Sequence, residues 1–459
     1  MGAYRGGIAM LAMLAPLLLI TAERGVVNHD ATYAGLGARQ IATNGTVWVD
    51  DLDLTKLPAN QRPTEDFSLR VRDDGRTAVA RTMGVVLAGV PAYWLFNRGS
   101  DSADLRSAPA SWTAAFLTLL ALVMLYLALR PRWGDAWAAL AASLAGLSTP
   151  LWSVNADMLW THSVTVVGLT GMALAVSRDR WWLAGVAGGV ALLGRPHVAL
   201  IVAVVGVGLA VWRRKPSIAV KMGLVSAGFL GLLMLWNRWV FGVWSAEGAY
   251  AARDVTGMAL GDGALSLERL AQQAGLWVAP SVGLLVWTPV LTVLLPAVAI
   301  HRRCLPDWSQ VLVAGGTLYA LAQGQVAAFH GGDGFYGYRL MLEPLVCFLP
   351  AALLVIPILG PRVRVACGAL VGLQLAAIST GAVRKSWFVL REDGWTQNGF
   401  ALALTTEPEL VIWMLVMTVF GALAAAVLNR RWLERTARAP AQRTLPIQRS
   451  EPQAEVRSR

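Results

Sequence analysis

Residues 329–351 read FHGGDGFYGYRLMLEPLVCFLPA, a knot of glycine, aromatic and charged residues that passes directly into an apolar run. The same alternation recurs along the chain. About thirteen apolar runs of roughly 14 to 25 residues, each long enough for a helix crossing a bilayer core, are separated by polar segments. With 56% hydrophobic and 15% charged residues among 459, and a mean hydropathy of +0.53, the chain is too apolar for one or two water-soluble domains. Barrel strands would alternate polar and apolar residues over about ten positions, which these runs do not. The expected fold is an all-α polytopic membrane protein.

Charge orients the runs. Basic clusters at Arg130 and Arg132, Arg178 and Arg180, Arg213 to Lys215, Arg302 and Arg303, Arg362 and Arg364, and from Arg430 onward follow many of them. If every run crossed from an inside N-terminus, these clusters would face outward, against the positive-inside bias. Segment 79–97 is therefore expected to lie on or dip into the outer leaflet, leaving about twelve crossings and both termini cytoplasmic. An N-out chain in which all the runs cross also satisfies the charges, but it puts 23–78 in the cytoplasm. The expected organisation is a transmembrane domain over 1–429, a first extracytoplasmic loop with surface helices over 23–110, and a disordered cytoplasmic tail over 430–459. The first apolar run is read as a retained helix rather than a cleaved signal peptide. The net charge of +11 is absorbed by topology, so no nucleic-acid partner is expected. Cys304, Cys347 and Cys367 lack metal-ligand spacing.

On this topology the outer side collects the polar residues able to do chemistry. In NHDATY (28–33), Asp30 sits just past the first helix, where partial desolvation by lipid can raise a carboxylate's basicity and suit it to act as a general base. The plain alternative is a helix cap. In GRPHV (194–198), Arg195 is costly at a buried turn unless it meets an anion, either a lipid phosphate or an internal carboxylate. His197 lies beside it. In the opening stretch, four glycines permit positive φ and close backbone approach, while His330 and Arg339 bring positive charge: an anion-binding mouth, or a flexible loop with an interfacial arginine. His29, Tyr33, Asp157, His162, Glu247, Tyr250, Asp333 and Tyr336 are candidates to line a substrate pocket.

Taken in order, these phrases resemble the GT-C superfamily, polytopic glycosyltransferases that use polyprenyl-phosphate sugars, and within it the mannosyl-, aminoarabinose- and arabinofuranosyltransferase-like group. The resemblance runs from residue 1 to about 430. It rests on HDATY with NGTVWVDDLDL, GRTAVARTMGVVLAGVPAYWL, STPLWSVNADMLWTH, LLGRPHVAL, WNRWVFGVWSAEGAY, APSVGLLVWTPVLTVLLPA and the opening stretch. Where the family has an acidic pair, this chain has His29–Asp30; where it has Trp before the glycines, this chain has His330.

The resemblance implies a GT-C-like bundle and inverting sugar transfer from a polyprenyl-phosphate donor to a glycan, glycolipid or protein acceptor, at the outer face of a bacterial inner membrane. Asp30 would take the acceptor's proton, and Arg195, Arg339, His197 and His330 would hold the departing phosphate. No metal is required for a lipid-phosphate leaving group met by cationic side chains, although Asp30 and Asp333 could share a divalent ion. A transporter or flippase of lipid-linked sugars, which would be expected to carry internal repeats, is the alternative from another class. An inactive GT-C-like assembly partner is the third.

Overall fold

The computed structural model describes residues 4–23, 28–57, 59, 62–63, 68–96, 107–249 and 266–438. Its elements begin with α1 (Arg5–Thr21) and α2 (His29–Asn44), then a hairpin of β1 (Leu69–Val71) and β2 (Thr77–Val79). Next come α3 (Met83–Phe96), α4 (Ala108–Trp133), α5 (Asp135–Leu147), α6 (Thr161–Val176), α7 (Trp181–Gly194), α8 (Ala199–Trp212) and α9 (Ser217–Phe241). The described chain continues with α10 (Leu267–Val278), α11 (Leu284–Trp287), α12 (Leu291–Ile300), α13 (Asp307–Val326) and α14 (Leu342–Val355). It ends with α15 (Pro361–Arg384), α16 (Gly399–Thr406) and α17 (Glu409–Arg438), the last running past the expected boundary at 429.

Among the described residues, four helices are long and apolar enough to cross a membrane: α4, α9, α15 and the Glu409–Arg430 part of α17. Shorter apolar helices pack around them. α3, within the segment expected not to cross, has 14 residues. At the α-helical rise that is about 21 Å, the same as α7, so helix length does not set α3 apart from the runs expected to cross.

The apolar run 277–300 is long enough for one helix but is broken: α10 ends at Val278, and the short α11 and α12 follow it. Pro280, Gly283 and Pro289 fall at the breaks, where a missing amide or a costly glycine ends helical hydrogen bonding.

Two features position the site at Asp30. Asn28 caps α2, its side chain accepting from the Asp30 amide at 2.9 Å, so Asp30 stands in the first turn, where the helix dipole favours a carboxylate. α2 is covered by protein: Ala31 through Gln40 are all buried, packed against α3, β2 and α4. The hairpin pairs Leu69 with Val79 and Val71 with Thr77, and its exit delivers Arg81 beneath the start of α2.

Candidate active site

Asp30 lies between two guanidinium groups. Arg81 Nη2 donates to its Oδ1 at 2.8 Å and Arg81 Nε to its carbonyl at 3.1 Å, while Arg339 Nη1 donates to its Oδ2 at 2.5 Å. Arg339 comes from the glycine loop, where its other terminal nitrogen bonds the Gly331 carbonyl and its guanidinium stacks 4.6 Å over Trp160. The loop's curvature demands glycine: Gly331, Gly332, Gly334 and Gly337 have φ of 68°, 101°, 77° and 109°. A Cβ at Gly337 would stand 2.8 Å from Pro150 Cγ. The Asn28 amide bonds the Asp333 carbonyl, so the two polar phrases that bound the bundle's sequence are tied together.

Burial alone would raise the Asp30 pKa, but the Arg81 and Arg339 charges outweigh it and hold the carboxyl at about 2. This is opposite to the rise expected from desolvation by lipid. At rest Asp30 is an ionised clamp, and its basicity depends on whether the arginines stay.

A second cluster lies inside the bundle. His162 Nδ1 is 2.8 Å from Glu343 Oε1, and Arg195 Nη1 lies 2.9 Å from His162 Nε2 and 3.4 Å from the same Glu343 oxygen. Arg195 Nε donates to His197 Nε2 at 2.9 Å, and His197 stacks on Tyr319 with ring centroids 5.8 Å apart. Of the two anions expected for Arg195, the structure holds the internal carboxylate. Glu343 is fully buried, and its Oε2 has no hydrogen-bond partner among the described residues.

No protein-family pattern matches the chain, and no curated protein matches it. Solved structures do. The chain is similar to ArnT from Cupriavidus metallidurans bound to undecaprenyl phosphate, at 16% identity and a TM-score of 0.47, over 94% of this chain and 78% of that one. It is also similar to the Archaeoglobus fulgidus oligosaccharyltransferase in the apo form, at 15% identity and a TM-score of 0.46, over 90% of this chain and 56% of that one.

The remaining candidates divide by position. His29 reaches the Arg62 carbonyl at 3.1 Å and Ser68 Oγ at 3.2 Å, and packs on the buried Tyr33 ring at 4.8 Å, so this phrase flanks the Asp30 clamp. His330 Nδ1 accepts from the Gly332 amide at 3.0 Å, and burial lowers its pKa. The Asp333 carboxylate is exposed and accepts from the Arg391 amide at 2.9 Å, so Asp30 and Asp333 are engaged separately. Tyr336 is buried beneath the loop, edge-on to Trp287. Asp157 pairs with Lys385; burial pushes its pKa up, against the Lys385 charge, to about 7. His162 joins the inner cluster rather than an outer pocket wall. Glu247 follows the end of α9, where its amide bonds Ser245 Oγ at 3.1 Å, and Tyr250 lies outside the described residues.

Three participants were not among the residues expected from sequence. Arg81 is placed by the hairpin register, which no local motif encodes. Glu343 carried a signal: an acid at the head of an apolar run is costly there without a partner. Lys385 carried none beyond its rarity in a lysine-poor chain.

Proposed function

We propose that this chain is an inverting GT-C-type glycosyltransferase that takes a sugar from a polyprenyl-phosphate donor at the extracytoplasmic face of a bacterial inner membrane. The observation that carries this reading is the Arg81–Asp30–Arg339 clamp beside the glycine loop. A donor phosphate is a better partner for a guanidinium than one oxygen of a carboxylate shared with a second arginine, since it offers bidentate geometry and more charge. In this reading the phosphate draws Arg339 from Asp30, with His330 at the rim of the same mouth. The released carboxylate, no longer held near 2, becomes basic enough to take the acceptor proton.

The acceptor oxygen then attacks the anomeric carbon. The bond from that carbon to the phosphate oxygen breaks with its electron pair leaving on the polyprenyl phosphate, whose growing charge Arg339 stabilises. Arg195, held by Glu343, and His197, bonded by Arg195, back this wall from within the bundle. The ordered phrases resembling GT-C enzymes support the same reading.

The test is purified protein incubated with radiolabelled polyprenyl-phospho-mannose, -arabinofuranose and -aminoarabinose together with envelope glycan, glycolipid and peptide acceptors. Transfer from at least one donor is expected. Donor that binds and exchanges across the membrane without cleavage would support the carrier reading instead, and absence of both would leave an assembly partner. The ion-paired resting state of Asp30 favours that last reading as the specific rival, because a purely structural clamp would look the same.

A further inference from the structure

At the end of the bundle away from Asp30, α4, α6 and α7 enclose a groove of about 470 Å³. α6 starts beside the Arg339–Trp160 stack and runs away from it, so Arg178, just past its C-terminus, lies about 25 Å along the helix axis from the site. Along that axis the groove is lined by Val167, Gly171 and Leu174 of α6, spaced as one helical face. α7 adds Leu183, Val186 and Val190, and α4 adds Met124 and Leu127. Gly171 keeps the floor open: a Cβ there would stand 3.2 Å from Met124 Sδ and 3.3 Å from Ala187 Cβ.

The apolar walls end at Arg178 and Arg180, both exposed. Arg178 Nη2 is anchored on the Leu127 carbonyl at 2.8 Å, which fixes its guanidinium over the mouth. No carboxylate pairs with Arg180 among the described residues. The intervening Asp179 does not cancel the rim, because it is held by Arg213 at 2.5 Å. Trp182, half exposed, marks the same level as an interface between hydrocarbon and water. From Val167 to Arg178 the groove follows about 16 Å of helix, close to the roughly 15 Å depth of one leaflet's hydrocarbon.

We propose that this groove binds one anionic phospholipid from the leaflet opposite the Asp30 site, an acyl chain lying between α4, α6 and α7 and the phosphate between Arg178 and Arg180. Walls of this length accept a chain without breaking hydrogen bonds, and two guanidiniums with no competing carboxylate select a headgroup with net negative charge. A zwitterionic headgroup brings its own ammonium to the same pair of arginines and is disfavoured.

The test is native mass spectrometry of the full chain released from micelles containing equimolar phosphatidylglycerol and phosphatidylcholine with identical acyl chains. One phosphatidylglycerol is expected to remain bound in preference to phosphatidylcholine. Arg178→Gln with Arg180→Gln should weaken its retention by about 30-fold. Val186→Trp, which leaves both arginines and fills the groove, should also release it, and decides the matter if the double variant does not fold. Equal retention of the two lipids, or retention unchanged in either folded variant, overturns the proposal. So does displacement of phosphatidylglycerol by an equimolar short prenyl phosphate, which would assign the groove to that lipid class instead.

Discussion

Asp30 and Glu343 are both carboxylates held against arginine, yet they occupy opposite physical regimes. The Asp30 side chain keeps 25% of its surface exposed, and each oxygen accepts from a different guanidinium. The Glu343 side chain is 0% exposed, and one of its oxygens has no partner among the described residues. A pair at the mouth of a bundle can exchange partners with an incoming anion, because water and substrate compensate what is lost. A sealed pair cannot, because removing one partner strands the other in a medium that solvates charge poorly. On the proposed reading, exchange and chemistry belong to the Asp30 cluster and rigidity to the Glu343 cluster.

The sharpest way to break this contrast is Asp30→Asn. The amide keeps the shape but not the basicity, so single-turnover sugar transfer should fall by about 10³-fold, or about 4 kcal/mol, while donor binding persists. A loss of only a few-fold would make Asp30 an anchor like Glu343 and merge the two regimes. Glu343→Ala should act on stability instead, costing about 3 kcal/mol because it leaves Arg195 buried without its carboxylate. Thermal unfolding in detergent reads this, and Glu343→Ala combined with Arg195→Met should recover much of it. If the single variant unfolds normally but loses transfer, the inner cluster takes part in catalysis directly. Arg339→Ala lies between them: donor affinity and transfer should both drop, the rate by about 10²-fold, or about 3 kcal/mol. Unchanged donor affinity would remove Arg339 from the phosphate site.

Much of this frame was legible in the sequence because its causes are local. Apolar length signals helices, and the four glycines of 331–337 take the positive φ that their spacing suggested. Charge bias put HDATY and the glycine loop on one side, and the Asn28–Asp333 contact joins them. The breaks at Pro280, Gly283 and Pro289 are also local signals, but a long hydropathy window averages them away. What was not legible depends on register between distant elements. Arg81 meets Asp30 only because β1 and β2 pair as they do, and Glu343, His162 and Arg195 meet only because α14, α6 and the turn after α7 pack together. A hairpin register and a helix rotation move these residues by several ångströms without altering any local pattern.

The smallest effect separates the regimes by pH. Asp30 has a pKa of about 2 in the folded protein against an ordinary 3.8, so the folded state favours its ionised form. The stability this contributes, about 2 kcal/mol at most, is present above pH 4 and is lost as the pH falls toward 2. Asp157 titrates in a separate window: with its pKa raised to about 7, it contributes stability below pH 4 that is lost as pH rises from 4 to 7. Unfolding midpoints of the parent and of Asp30→Asn should therefore converge between pH 4 and pH 2, while a comparison with Asp157→Asn changes only above pH 4. If the parent and Asp30→Asn stay equally far apart down to pH 2, the Arg81 and Arg339 charges do not hold Asp30 ionised. The exchange by which a donor phosphate frees it would then have nothing to release.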